Sequence, residues 1–275
     1  MSDGYDLIIE PGGGIRRYWR DLWKYRELFF FLAWRDILVR YKQTAIGIAW
    51  SVIRPLLTMV VFSIVFGALA GLPSNGVPYP IMVYAAMLPW QFFANSLSES
   101  SNSLIDNANL LTKVYFPRLI VPAGSVIVSL VDFFISMVIL FGIMAWYRYL
   151  PDIRMLLLPF FLVLAFLASF GAGLWLSALN VKYRDFRYVV PFLVQFGLYI
   201  SPVGFSSAIV PEKWRMIYFL NPMVGVIDGF RWAILGDAFP VYWPGLALSA
   251  CFTLLLFVGG LFYFRNMERS FADVI

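Results

Sequence analysis

The chain alternates between long apolar runs and short polar stretches. Six predominantly apolar runs lie near residues 47–70, 80–104, 119–146, 156–180, 188–206 and 243–264. A hydrocarbon core about 30 Å thick takes about 20 residues of helix to cross, so six runs predict six crossings. Lipid offers the backbone no hydrogen-bond partner, and each crossing is therefore expected to be helical. The predicted fold class is an all-α integral membrane protein with one transmembrane domain over 47–275.

Two regions depart from this simple alternation. Over 1–46, Ile15, Tyr18, Trp19, Leu22 and Trp23 recur at helical spacing, while Arg16, Arg17, Arg20, Asp21 and Lys24 fill the opposite positions. That pattern predicts an amphipathic helix lying in the membrane interface, with its tryptophans at headgroup depth. Pro11-Gly12-Gly13-Gly14 before it reads as a flexible linker. The apolar run at 28–34 has no small-residue cleavage site behind it, so no removed signal peptide is expected. Residues 207–242 contain the apolar run 216–235, but Asn221-Pro222, Gly225, Asp228, Gly229 and Arg231 interrupt it. A pair of short re-entrant helices between spans 5 and 6 is expected there, with Asp228 and Arg231 placed to neutralise each other.

Charge adds direction. Fifteen Lys and Arg residues fall on the side holding 1–46, 105–118, 181–187 and 265–275; five fall on the other, and Arg54 lies inside the first span. The positive-inside rule places both termini in the cytoplasm. Composition agrees with a membrane protein, with 61% hydrophobic and only 13% charged residues. Its 52 aromatic residues (27 Phe, 15 Tyr, 10 Trp) exceed what lipid contact requires.

Absences remove several chemistries. With no histidine, imidazole catalysis and His-metal sites are impossible in this chain, and the single Cys251 permits no internal disulfide. No Gly-Lys pair occurs anywhere, so a P-loop is excluded and an ATPase would have to be a separate chain. The acids Asp36, Asp106 and Asp185 are scattered singly, which argues against a membrane-embedded transferase. A passive channel would need no loops for docking an ATPase. The loops at 107–118 and 181–187 mix charge with aromatics (Lys113, Tyr115, Phe116, Arg118; Tyr183, Arg184, Asp185, Phe186), and read either as docking levers or as positive-inside anchors.

An ordered set of short motifs runs from about residue 27 to the C-terminus. It comprises Arg35-Asp36, Arg40-Tyr41-Lys42-Gln43-Thr44, Gly47, Trp50 and Pro55; Asn109-Leu110, Lys113, Phe116-Pro117-Arg118 and Pro122; Tyr183-Arg184-Asp185, Pro191, Gln195 and Ser201-Pro202; and Asn221-Pro222 and Arg231. The set resembles permease subunits of ABC-type polysaccharide exporters, the group carrying O-antigen, capsular polysaccharide and teichoic acid. The resemblance implies a homodimer in the bacterial inner membrane, with two copies of an ABC ATPase subunit that bind ATP and Mg. The permease itself holds no cofactor, binds no nucleic acid and performs no covalent chemistry. Its implied cargo is a lipid-pyrophosphate-linked glycan, with O-antigen the first reading. Capsular polysaccharide, teichoic acid, or a small molecule or lipid is the alternative.

Such a cargo gives the aromatic excess a use. Sugar rings pack their C–H faces on aromatic side chains, and many weak contacts let a polymer slide where one deep site would trap it. Candidate lining residues are Trp50, Phe62 and Phe66; Tyr84, Trp90, Phe92 and Phe93; and Phe192, Phe196, Tyr199 and Phe205. Trp19, Trp23 and Arg54 are candidates for headgroup recognition, although Arg54 can equally snorkel to the interface. The resemblance assigns Lys113, Arg118, Tyr183, Arg184 and Asp185 to ATPase coupling, and Asn221, Pro222, Asp228 and Arg231 to an outer gate. Glu99 and Asp132, acids inside spans, either face a cavity or pair across the dimer interface.

Overall fold

The computed structural model describes residues 15–42, 47–183, 185–268 and 271. Among these, every regular element is helical and no strand occurs. α1 (Ile15–Lys24) and α2 (Arg26–Lys42) precede the first apolar helix, α3 (Gly47–Phe62), which runs on into a π-helical turn at Ser63–Leu69. α4 (Tyr79–Asp106) and the short α5 (Ala108–Lys113) lead to α6 (Ile120–Trp146), and α7 (Leu158–Lys182) follows a 3-10 turn at Ile153–Leu157. α8 (Phe186–Ile200), α9 (Glu212–Tyr218), α10 (Pro222–Leu235) and α11 (Trp243–Met267) complete the fold.

Among the described residues, four helical stretches are by themselves long and apolar enough to cross a membrane: Ala49–Leu69, Ile120–Trp146, Ile153–Lys182 and Trp243–Met267. The other two expected crossings differ for separate physical reasons. α4 has ample length, about 42 Å at 1.5 Å per residue, but its second half carries five serines, Glu99 and Asn102 between 96 and 103. It can carry them because it is the central helix, packed against α3, α6, α7, α8 and α10, so most of its surface never meets lipid. α8 spans only about 22 Å. The apolar run continues to 206, but Ser201 turns extended ahead of Pro202 and ends the helix, because the residue before a proline is pushed out of the helical region.

Close helix contacts depend on small residues. A methyl built on Gly171 of α7 would fall 2.6 Å from the Phe257 Cα of α11, and Gly260 lies directly against the Gly171 carbonyl. Without a hydrophobic drive in lipid, such backbone approach is what holds helices together. α2 also joins the bundle. Its Leu32 and Ala33 are buried against α6 beside Gly124, Arg35 reaches Asn107 at the end of α4, and Arg40 reaches Glu99 two turns further along. α2 thus runs parallel to α6 and antiparallel to α4. One end of the bundle gathers α1, α5 and the C-terminus of α11; the opposite end holds α9 and α10 over 207–242, as two short helices in place of one span.

Candidate functional site

One surface of the chain is unusually aromatic. On α8, the buried or half-buried Val190, Val194 and Leu198 face the bundle, and Gly197 sits against the Trp90 ring. The other face presents Tyr188, Phe192, Phe196 and Tyr199, at spacings of 4, 4 and 3 that align them on one side of a helix. Phe192, Phe196 and Tyr199 remain 64, 53 and 58% exposed. The Phe192 and Phe196 rings lie nearly parallel, 5.8 Å apart with 7° between their planes. On α3, Trp50 and Arg54 are also exposed, as are Ile53, Leu57 and Val60.

The remaining aromatic candidates divide. Tyr84, Trp90 and Phe92 are enclosed by the helices around α4, and Phe62 is buried with Phe66 edge-on at 5.3 Å, the pair resting on Gly204. These four buried rings belong to the chain's own packing and are not exposed to line a path. Phe66, Phe93 and Phe205 are half-buried. Position along an apolar run marks a span but does not say which helix lies at the centre.

An ionic cluster sits where α2, α4 and α6 meet. Arg40 contacts Asp132 Oδ2 at 2.8 Å and Glu99 Oε1 at 3.2 Å, while the Tyr41 hydroxyl donates to Asp132 Oδ1. Both acids therefore meet an arginine of the same chain. Beside them runs a buried serine seam, Ser96 and Ser100 of α4, Ser129 of α6 and Ser177 of α7. The seam lets helices approach closely: Gly173 of α7 lies against Ser100. The serine run between 96 and 103 in α4 is its sequence signal, one that apolar periodicity passes over.

At the α10 end, Arg231 is 1% exposed and donates to three backbone carbonyls: Phe205 at 2.6 Å, Val203 at 2.8 Å and Met82 at 3.3 Å. Phe239 lies 5.9 Å beneath it. The expected Asp228–Arg231 pairing is not the direct contact found. Asp228 instead accepts a hydrogen bond from Ser207 Oγ. The reason is the chain break after α8, which leaves carbonyls at 203 and 205 without helical partners, and only the guanidinium fork reaches them. Asn221 completes the joint, capping α10 through the Met223 N–H and donating to Ser201 Oγ at 3.0 Å; Pro222 takes the first helical position, where no donor is needed.

At the α5 end, Lys113, Tyr183 and Asp185 are exposed, and Arg184 lies outside the described residues. Arg118 is committed elsewhere. Its N–H donates to Glu268 Oε1 at 2.8 Å and its guanidinium to the Glu268 carbonyl at 2.7 Å, tying the start of α6 to the end of α11. Burial, the larger influence, raises the Glu268 pKa, and the neighbouring Arg118 and Arg265 charges partly oppose it. Trp19 and Trp23 are exposed on α1, with Arg26 stacked over Trp23. Among the described residues no cluster of three or more His, Cys, Asp or Glu side chains could hold a metal.

The sequence that folds into this bundle matches the ABC-2 type transporter family over residues 27–235. The chain belongs to that family. Among relatives of this ABC-2 protein, an O-antigen export system permease protein, RfbA, of Myxococcus xanthus is 27% identical over 93% of this chain and 98% of its own length. An RfbA permease of Klebsiella pneumoniae is 25% identical over 90% and 95%. The polysialic acid transport protein KpsM of Escherichia coli is 22% identical over 86% and 92%. The ABC-2 assignment makes this chain a multi-pass membrane transport protein rather than an enzyme.

Proposed function

We propose that this chain is the channel-forming subunit of an ATP-driven exporter of a lipid-linked polysaccharide, with O-antigen the cargo that its RfbA relatives favour. The observation that carries the reading is the exposed aromatic face of α8. Three rings aligned over about two turns, left uncovered by the subunit's own helices, make a surface for sugar rings. On this reading two subunits set their α8 and α3 faces about a common axis and enclose the path. Phe192, Phe196, Tyr199 and Trp50 line it, with Phe66, Phe93 and Phe205 at its margins. Capsular polysaccharide is the second reading, favoured by the likeness to KpsM.

The finer architecture follows. Six crossings comprise α3, α4, α6, α7, α8 and α11, and α9 with α10 form the re-entrant pair. Both termini are cytoplasmic on the fifteen-to-five excess of Lys and Arg. α5 with Lys113 and the exposed Tyr183 and Asp185 face an ABC ATPase that binds ATP and Mg, one per subunit. Trp19 and Trp23 anchor α1 at headgroup depth. Arg54, on the exposed side of α3, meets the lipid pyrophosphate. The 1–46 segment serves as an interfacial lead to the permease domain at 47–275.

Substituted-cysteine accessibility tests the carrying observation. In a Cys251→Ser background, cysteine introduced at Phe196 should react with a small membrane-impermeant maleimide, whereas cysteine at the exposed α7 position Phe160 should not. Equal protection of both positions would remove α8 from the path.

A further inference from the structure

The exposed aromatic face of α8 rests on a second layer of rings beneath it. Gly197 lies on the side of α8 turned away from Phe192, Phe196 and Tyr199, in line with Val194 and the buried Val190. A methyl built there would fall 2.6 Å from Trp90 Cη2 and 3.4 Å from Cζ2. The indole cannot readily give way, because Trp90 is buried within α4 and Phe93 lies tilted beside it at 5.6 Å. Seven residues further on, just past the end of α8, the arrangement recurs. A methyl on Gly204 would fall 2.6 Å from Phe66 Cδ2 and 3.3 Å from Phe62 Cδ2, and the Tyr79 hydroxyl donates to the Gly204 carbonyl at 2.6 Å. Apart from proline, glycine is the residue least favoured inside a helix, so its place within α8 needs a reason. Close approach of a ring to the backbone supplies one.

We propose that Trp90, seated against Gly197, is a positioning residue that sets how far the α8 face projects and so the cross-section of glycan the path admits. This rests on the reading that α8 lines the path. Trp90 is buried and touches no cargo; it acts through the α8 backbone. A side chain of one carbon at position 197 would lift α8 off the indole by about 1 Å, the gap between that 2.6 Å approach and a carbon–carbon contact of about 3.5–4.0 Å. The lift points toward the exposed face, because Gly197 lies nearly opposite it on the helix. With two copies facing each other, both faces move, and the opening narrows by about twice that amount. The contacts at Gly204 hold the end of the helix, so the displacement is greatest where Phe192 and Phe196 stand.

Size-graded thiol labelling of the full chain in membranes tests it. In a Cys251→Ser background with cysteine introduced at Phe192, membrane-impermeant maleimides of increasing cross-section measure the opening as the largest reagent that reacts. Gly197→Ala should slow that reagent about tenfold, the scale of one overpacked methyl group, and leave the smallest reagent unaffected. Adding Trp90→Phe, which shortens the ring beneath position 197, should restore the rate, and Trp90→Phe alone should admit a larger reagent. Gly142→Ala, with nothing within 4 Å of its added methyl, should leave the whole series unchanged. A purely structural role for the glycine would instead lower the unfolding temperature and change every reagent's rate alike, with no dependence on size. That outcome, an unchanged size series in Gly197→Ala, or no recovery in the double variant would overturn the proposal while leaving α8 in the path. A cysteine at Phe192 that no reagent reaches in otherwise unaltered protein would remove α8 from the path, and the proposal with it. Unfolding temperatures of the two single variants and the double variant would then still show whether Trp90→Phe offsets Gly197→Ala, which keeps the two failures apart.

Discussion

Arg231 shows how a residue inside a membrane bundle is tolerated. Its cost of burial is offset by three backbone carbonyls, two of which, at 203 and 205, would otherwise be orphaned after α8 ends, and there each side of the arrangement needs the other. Arg231→Met should therefore destabilise the subunit by about 3 kcal/mol or more, seen as a lower unfolding temperature in detergent, with Arg231→Lys intermediate because an ammonium lacks the fork. The sequence marked Arg231 as significant and paired it with Asp228 by helical spacing. Its true partners, at 82, 203 and 205, are set by where a neighbouring helix stops. Glu268 carries a pH consequence. Its pKa is raised in the folded chain, so the folded state binds this proton more readily than the unfolded state does. The group's contribution is full below the ordinary carboxylate range and is lost as pH rises through the raised value. Glu268→Gln keeps an acceptor for Arg118 and should flatten the stability curve over that interval, measured by thermal unfolding across pH.

At the scale of elements, α7 and α11 meet through glycine. Gly171→Leu should force the two backbones apart at a cost of about 1–3 kcal/mol, whereas Gly142→Ala, with nothing near its added methyl, should be neutral or slightly stabilising. Unfolding temperatures of the two variants check both. Most elements were readable from apolar periodicity: α3, α6, α7 and α11 lie close to their expected ranges, and the break at 221–222 announced two short helices. α4 and α8 show where that reading ran out. Hydropathy gave both the same standing, yet α4 became the enclosed centre and α8 a short surface helix. Which helix is central depends on packing partners, and the serine run of α4, suited to close helical approach, was the available clue. This is why Tyr84, Trp90 and Phe92, chosen as lining, are packing residues, while Phe192, Phe196 and Tyr199 are exposed.

For the whole molecule, the family was legible because its motifs occur in order along the chain, and they mark both ends of the bundle. On the proposed function, labour is divided between those ends: an ATP-driven push at α5 and the 181–187 loop, and a joint built on Arg231 at the other. Asp185→Lys should leave the subunit folded and inserted but reduce export at least tenfold in cells holding the ATPase, scored by surface polysaccharide. The purified chain alone should hydrolyse no ATP above background. The central claim is that the α8 face carries the sugar chain. Its most direct measurement is the length distribution of surface polysaccharide in Phe196→Ala/Tyr199→Ala, compared with Phe160→Ala on the exposed face of α7. Selective loss of long chains in the α8 variant, with the control unchanged, is the predicted result; identical distributions in both would contradict it.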